Sequence, residues 1–175
     1  MANILLIYST TDGHTLEICQ RLVQVIEQQG HQVTLISIEN ASAVDLETFD
    51  KIVLGASIRY GKHGKPVYEF IRKNGQILDS KPNAFFSVNV VARKPEKNQP
   101  DTNPYLRKFL KQIAWQPREL AVFAGKIDYK RYRYWDRQII RMIMWMTKGP
   151  TDPDTVIDFT NWEQVEDFGI LVSKM

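Results

Sequence analysis

A run of small, hydroxyl-bearing residues follows directly on the first apolar stretch of the chain. Ile4–Tyr8 is uninterrupted and apolar, which is typical of a strand buried on both faces. Hydroxyls and free backbone N–H groups at a helix N-terminus bind anions, so the residues after it predict a phosphate site. These residues are Ser9, Thr10, Thr11, Asp12, Gly13, His14 and Thr15. A simple helix cap uses the same residue types, and the run alone leaves both interpretations open.

The sequence holds few other groups that do chemistry by themselves. No GxGxxG and no Walker lysine is present, which disfavours dinucleotide and nucleoside-triphosphate folds. There is no Ser-His-Asp set, no pair of carboxylates and no cluster with metal-ligand spacing. We therefore expect the chemistry to belong to a bound cofactor, and we expect no metal.

Two further loops are expected to share a crevice with this run. In an open parallel sheet, ligands bind beyond the carboxyl ends of the strands, where the strand order reverses. Ala56–Gly61 follows the third predicted strand, and Ser87–Arg93 follows the fourth. His63, close to the first of these loops, is a candidate proton acceptor, because imidazole titrates near neutral pH. The alternative is an exposed loop histidine without a role.

Strands and helices alternate along the chain at the spacing of a doubly wound α/β fold. The predicted strands are Ile4–Tyr8, Val33–Ile38, Lys51–Ala56, Ala84–Val88 and Leu120–Ala124. Helices are predicted from Leu16 to Gly30, from Pro66 to Arg72, from Asn103 to Ile113, and from Asn161 onward. We expect residues 1–175 to form one domain, a parallel sheet with helices on both faces.

A long segment separates the fifth predicted strand from the last helix. Lys126–Thr160 is longer than an ordinary connection. We interpret residues 126–155 as a basic and aromatic insertion within the fifth strand. Val156–Phe159 is short, β-branched and apolar, and we expect it to rejoin the edge of the sheet as the second half of that strand.

Charge is unevenly distributed along a chain whose net charge is +3. Arg93–Arg118 and Lys126–Lys148 each carry seven basic and two acidic residues, whereas the rest carries nine basic and sixteen acidic residues. Two basic segments on an acidic body favour an anionic partner: nucleic acid, a carboxylated ligand or acidic lipid. Solvated charged faces without a partner are the alternative.

Composition limits the location of the protein. Cys19 is the single cysteine among 175 residues, which excludes an intrachain disulfide and suits a reducing compartment. The longest apolar runs are five residues, far below a membrane span. Met1–Asn3 lacks the positive charge of a signal peptide, so we expect a cytoplasmic location.

The run from Ser9 to Thr15, with the strand before it, resembles the FMN phosphate loop of flavodoxins. This resemblance implies a five-stranded parallel sheet of order 2-1-3-4-5, with the flavin ring held between the loops after the third and fourth strands. Tyr60 would stack on the ring. The flavin contacts that the resemblance implies outside the run are Ser57, Ile58, Arg59, Tyr60, Gly61, Ser87, Val88, Asn89 and Val90.

Three longer segments, GASIRYGKHGK, FFSVNVVARKPEK and YKRYRYWDR, narrow the resemblance. They are similar to the flavodoxin-type protoporphyrinogen dehydrogenases of haem synthesis. That family implies one FMN per chain, oxidation of protoporphyrinogen IX to protoporphyrin IX by removal of six electrons, and menaquinone or ubiquinone as acceptor. It also implies peripheral association with the cytoplasmic face of the cell membrane. The candidate partners of the substrate propionates are Arg59, Lys62, Lys65, Arg93 and Lys94.

A helix predicted from about Tyr132 to Met146 would carry apolar and basic residues on separate ridges. At about 22 Å it is too short to cross a membrane, but it suits the interface. The predicted contacts with an anionic membrane surface are Arg133, Trp135, Arg137, Ile139, Arg141, Ile143 and Met146. The alternative is that the apolar stripe packs on the protein body.

Two other functions remain open. The same fold would serve a flavodoxin-like electron carrier or an NAD(P)H quinone reductase. Tyr129–Trp135 interleaves aromatic and basic residues as single-strand binders do, which makes a nucleic-acid-binding module the second alternative. We expect no nucleic acid partner, because that function would leave the phosphate loop unexplained. Assembly into a homo-oligomer is left open.

Overall fold

The computed structural model describes residues 1–175 and contains eight strands and five α-helices. The strands are β1 (Asn3–Ser9), β2 (Gln32–Ser37), β3 (Lys51–Arg59), β4 (Lys62–His63), β5 (Asn83–Asn89), β6 (Glu119–Ala124), β7 (Lys126–Asp128) and β8 (Val156–Asp158). The helices are α1 (His14–Gln28), α2 (Lys65–Ser80), α3 (Pro104–Gln112), α4 (Tyr134–Met146) and α5 (Trp162–Lys174).

Five parallel strands form the central sheet in the order β2-β1-β3-β5-β6. In β1, Leu6 lies beside Leu35 of β2 on one side and Val53 of β3 on the other. The two-residue strand β4 adds to β3 in the antiparallel direction. Counted over the parallel strands alone, the order is the predicted 2-1-3-4-5, so the predicted fold class is confirmed.

The sheet is buried on both faces, which explains why its strands read as unbroken apolar runs. Alternate side chains of β1 point to opposite faces. Leu5 belongs to the core layer that contains α2 and α3, whereas Leu6 belongs to the layer that contains α1 and α5. Gly55 in β3 is required by packing, because a Cβ there would lie 2.0 Å from a ring carbon of Phe86.

The insertion forms its own two-stranded ribbon. β7 and β8 pair antiparallel, with Ile127 opposite Ile157. The prediction that Val156–Phe159 rejoins the main sheet is therefore wrong. The residues of β8 are all exposed and pair with β7 alone, so β6 remains the edge of the main sheet. The chain leaves and returns at one point, where the Phe159 N–H donates to the carbonyl of Gly125 at 3.1 Å.

None of the five helices combines the length and the apolar character that crossing a bilayer requires. Cys19 is fully buried in α1, and burial raises the pKa of its thiol. Its thiol is therefore unreactive and serves packing.

Candidate functional site

A cavity of about 620 Å³ opens at the carboxyl ends of β1, β3 and β5. The loops after these three strands line it, and α4 of the insertion closes it from the other side. The residues expected to contact a flavin that do line it are Thr10, Thr11, Asp12, His14, Thr15, Ser57, Ile58, Arg59, Tyr60, Gly61, Val88, Asn89 and Val90. Ser9, Gly13 and Ser87 do not. The structure thus brings the three loops together around one space.

The loop after β1 leaves a buried polar group without a partner. Gly13 has φ +89°, which glycine adopts without strain, and its N–H donates to Thr10 Oγ1 at 2.9 Å. Thr15 is fully buried in the first turn of α1, and its hydroxyl makes no hydrogen bond. Such a group is costly unless a ligand pairs with it. Together with the free N–H groups of the helix N-terminus, this hydroxyl fits a phosphate.

Tyr60 and Gly61 form the turn between β3 and β4. Their φ angles are +52° and +77°, as in the two-residue turns that favour hairpins. This backbone costs about 1 kcal/mol or more at a residue other than glycine. The Tyr60 ring is about half exposed, and its hydroxyl donates to Asp136 of α4. The turn therefore places an aromatic ring at the cavity and ties it to the insertion.

Arg59 links the loop after β1 to the insertion. Its guanidinium pairs with Asp12 and lies 3.9 Å from a carboxylate oxygen of Asp136. The same group lies 5.2 Å from the centre of the Tyr132 ring. Burial lowers the pKa of Arg59, but the charge of Asp12 and the hydrogen bonds to Asp12 and Tyr60 together outweigh it and raise the pKa above its ordinary value. Arg59 therefore carries a positive charge that two acids already neutralise.

The loop after β5 is shaped by hydrogen bonds among buried side chains. Asn89 Oδ1 accepts from the Ala92 N–H and from Asn103 Nδ2, both at 3.1 Å. Ser87 is fully buried, and its Oγ lies 3.0 Å from His63 Nε2. The flavin contact expected at Ser87 is thus corrected: its hydroxyl serves the core below the cavity.

His63 lies in the core and not in an exposed loop. Pairing of β4 with β3 sets it opposite Ile58, and the side chain is 4 % exposed. Its ring packs against Phe85 and Phe109, with centroids 5.5 and 4.4 Å away. Burial lowers the pKa of His63 to about 3. The expected role as proton acceptor is therefore corrected: the ring is a weak base and is shielded from ligands.

Replacing His63 by glutamine is expected to weaken the acid sensitivity of folding. The folded-state pKa lies below the unfolded value of 6.5, so the unfolded chain binds more protons between these values. Stability present above pH 6.5 is then lost as the pH falls towards 3, by up to about 1.4 kcal/mol per pH unit. Denaturant unfolding at pH 7 and pH 4.5 measures the loss. The H63Q protein should lose less than the wild type, and equal losses would contradict this account.

Arg93 connects the loop after β5 to the end of α4. Its guanidinium donates to the carbonyl oxygens of Val90 and Thr147, both at 3.1 Å. Burial lowers the pKa of Arg93, which stays far above neutrality for a guanidinium. These bonds correct the expected propionate contact: Arg93 lines the cavity but holds α4 in place.

The three lysines expected to bind propionates lie around the cavity and outside its wall. Lys62 is exposed in β4, and Lys94 is half-buried in the loop after β5. Lys65 begins α2, and its Nζ lies 3.5 Å from a carboxylate oxygen of Glu69. Lys65 therefore has an acidic partner on its own helix, and the other two lysines have none.

Helix α4 carries two apolar faces. Ile139, Ile140, Ile143 and Met144 line the cavity, so Ile143, expected at the membrane, belongs to the inner face. Ile139 lines the cavity and is also partly exposed. The exposed side chains define what we call the outer face: Tyr134, Trp135, Met142, Trp145 and Met146. Trp135 and Trp145 are 75 % and 74 % exposed. The insertion thus closes the cavity with one face and offers the other to solvent.

The arginines of α4 do not form the free basic ridge expected from the sequence. Arg137 Nε donates to the carbonyl of Tyr129 at 2.9 Å, and Arg141 Nε donates to that of Thr151 at 2.7 Å. Arg133, just before the helix, is exposed. Two of the three arginines therefore fasten α4 to the rest of the insertion, which leaves the apolar outer face uncovered.

Some residues of the site were missed in the sequence. Tyr105 of α3, Lys126 of β7 and Tyr132 all line the cavity, and Trp145 completes the outer face. The aromatic run around Tyr132 was the available signal for that residue. Tyr105 gave none, because only the packing of α3 brings it to the cavity.

Comparisons with known proteins agree with this geometry. A family model, the flavodoxin domain, matches residues 5–154. A relative from Escherichia coli (strain K12), named protoporphyrinogen IX dehydrogenase (quinone), is 44% identical over 164 residues, 94% of this chain and 91% of the relative. A relative of the same name from Leishmania major is 40% identical over 165 residues, 94% of this chain and 71% of the relative.

Among solved structures, oxidised flavodoxin 2 from Bacillus cereus aligns over 99% of both chains with a TM-score of 0.57 and 17% identity. This likeness shows the fold alone. The chain belongs to the flavodoxin domain family and, within it, to the group of the protoporphyrinogen IX dehydrogenases (quinone).

Proposed function

We propose that this chain binds FMN in the cavity and oxidises protoporphyrinogen IX to protoporphyrin IX in haem biosynthesis, with a membrane quinone as electron acceptor. One observation carries the proposal: a single cavity joins the unpartnered hydroxyl of Thr15 to the apolar inner face of α4. Relatives that match 94% of the chain are named for this activity, which supports it.

FMN suits the polar end of the cavity, where Thr15 and the N–H groups after Gly13 would hold its one phosphate. When bound, FMN supplies the electron chemistry, accepting a hydride in each two-electron step. The chain itself would position the cofactor and shield it from water. Tyr60 would cover the ring, and the inner face of α4 would exclude water.

Lys62 and Lys94 are the proposed partners of the two substrate propionates. Both lie beside the cavity, and neither has a carboxylate partner within the chain. Arg59 lines the cavity but already faces Asp12 and Asp136, so we assign it a secondary contact at most. The ammonium group of a lysine acts as a point charge, so its pairing with a propionate tolerates rotation of a large substrate.

Replacing Lys94 by glutamine is expected to raise KM for protoporphyrinogen IX about threefold to tenfold and to leave kcat nearly unchanged. The propionate is remote from the reacting atoms, so it pairs equally well before and during hydride transfer. Steady-state kinetics with a water-soluble quinone measure both constants. Lys73→Gln, an exposed change on α2, is the control. A fall in kcat at constant KM would place Lys94 at the reacting atoms and overturn its assignment.

The outer face of α4 is the proposed contact with the membrane. It gathers two tryptophans and two methionines on a helix of 13 residues, about 20 Å long, which suits an interfacial position. Arg133 lies at its start and would meet acidic headgroups. We propose that this contact holds the enzyme at the cytoplasmic face of the cell membrane, where quinone is available.

The structure bears on the two alternative functions, a nucleic-acid-binding module and a flavodoxin-like carrier or reductase, in different ways. A nucleic-acid-binding module would need its aromatic residues free to stack on bases. Tyr129 is fully buried and Tyr132 nearly so, which leaves only Tyr134 and Trp135 of the aromatic run free to stack. An electron carrier or NAD(P)H quinone reductase would use the same cavity, but the relatives that match 94% of the chain are named for the dehydrogenase.

The test uses the purified full chain. We expect a flavin absorbance spectrum and FMN as the released chromophore by mass spectrometry. Under anaerobic conditions, protoporphyrinogen IX should bleach the flavin and yield fluorescent protoporphyrin IX, and NADPH should not bleach it. Released FAD would contradict the phosphate assignment, and bleaching by NADPH alone would favour the reductase.

A further inference from the structure

His14 joins the loop after β1 to both strands at the base of the insertion. It is the first residue of α1 and is 8 % exposed. Its Nε2 lies 2.6 Å from the hydroxyl of Thr160, which follows β8, and its Nδ1 lies 2.8 Å from Glu17 Oε2. The same oxygen of Glu17 lies 3.7 Å from Nζ of Lys126 in β7. One turn of α1 thus contacts the insertion where it leaves the domain body and where it returns.

The contacts around His14 hold its ring on two sides. The hydroxyl of Thr160 on the Nε2 side also lies 2.8 Å from the carbonyl oxygen of Ala124 at the end of β6. Glu17 lies on the Nδ1 side. The ring is therefore held between the first turn of α1 and the residues that flank the insertion.

The charged groups that face this ring come from three elements. Glu17 lies on α1, Lys126 on β7 beyond Glu17, and Asp158 on β8, with one carboxylate oxygen 3.6 Å from Nε2. Burial raises the pKa of Asp158, but hydrogen bonds from Thr160 and the charge of His14 outweigh it and lower the pKa below its ordinary value. The ring thus lies between two carboxylates, one on the helix that carries it and one on the returning strand of the insertion.

We propose that His14 is a positioning residue that couples anion binding at Thr15 to the placement of the insertion, and hence of α4 over the cavity. The inference rests on the proposed function, since it takes the FMN phosphate as the anion. A phosphate held at Thr15 fixes the first turn of α1, and the ring of His14 on that turn holds Thr160 at the base of the insertion. Because coupling is reciprocal, a fixed insertion also strengthens phosphate binding.

The first test compares FMN affinity in the wild type, His14→Gln and Thr160→Val. Glutamine keeps one donor but not the ring, and valine keeps the shape of threonine without its hydroxyl. Fluorescence titration of the flavin-free proteins should show binding about tenfold weaker in both variants than in the wild type. His31→Gln, a histidine beyond the far end of α1, should keep the wild-type affinity.

The second test reads the insertion directly, by hydrogen exchange of the α4 amides with and without saturating FMN. FMN should slow exchange about tenfold in the wild type and should have little effect in H14Q and T160V. Wild-type FMN affinity in H14Q, or protection of α4 that survives both substitutions, would overturn the role of His14. Failure of the wild type to bind FMN at any pH would instead overturn the proposed function.

Discussion

A Thr15→Val protein should bind FMN about thirtyfold more weakly than the wild type, yet be at least as stable when flavin-free. The hydroxyl of Thr15 is buried and has no partner within the chain, so its removal relieves a desolvation cost in the flavin-free state. In the bound state the same change removes a hydrogen bond to a charged phosphate, which is worth about 1.5–3 kcal/mol. The two effects therefore have opposite signs.

Fluorescence titration with FMN and thermal unfolding of the flavin-free protein measure the two effects separately. Thr15→Ser keeps the hydroxyl and serves as the matched control, with an affinity close to that of the wild type. If the valine protein loses stability while its affinity stays unchanged, the hydroxyl has a structural partner and Thr15 does not hold the phosphate.

The central sheet was predictable because local sequence and global packing agree there. Unbroken apolar runs such as Ile4–Ile7 are what a strand needs when helices cover both faces, and alternation with helices predicts that the strands are parallel. The order of the strands was implied by the resemblance to flavodoxins. Helix starts were readable for the same reason. Asn103 Oδ1 accepts from the Leu106 N–H at 3.1 Å and caps α3 at the predicted start of that helix.

The three loops of the site were predictable because the topology of a parallel sheet decides where they meet, whatever their side chains do. The roles of single side chains were less predictable. His63 was read as exposed because nothing in its neighbourhood reveals the two-residue strand β4, whose pairing turns the ring into the core. Arg93 was read as a ligand contact because its carbonyl partner at Thr147 lies 54 residues away in sequence.

The insertion shows the same limit more strongly. The helical spacing of its apolar residues predicted α4, but the pattern of an amphipathic helix does not specify which side meets the protein. Arg137 and Arg141 donate to carbonyls within the insertion, and the aromatic residues face outward. Which face turns inward depends on contacts with Tyr129 and Thr151, which lie outside the helix.

Polar substitution of the outer face should separate membrane binding from flavin chemistry. A protein with Trp135, Met142, Trp145 and Met146 all replaced by glutamine is expected to bind anionic vesicles at least about a hundredfold more weakly, since each exposed side chain loses the apolar burial that an interface offers. Turnover with a long-tailed quinone in vesicles should fall with it. Because these side chains are exposed, FMN binding, thermal stability and turnover with a water-soluble quinone should stay near the wild type. Vesicle flotation and parallel assays with the two acceptors measure these outcomes.

Arg133→Gln provides the electrostatic counterpart of this experiment. Arg133 is the arginine of this segment that is exposed and makes no hydrogen bond through its side chain, so its substitution should weaken vesicle binding a fewfold at low salt and hardly at all at high salt. The protein with the four glutamine substitutions should bind vesicles more weakly at both salt concentrations, because salt does not screen the burial of apolar surface. If these four substitutions lower the melting temperature or release FMN, the outer face packs against another part of the protein in solution. The membrane contact would then have to be sought in the basic loop after β5, around Lys94, or abandoned.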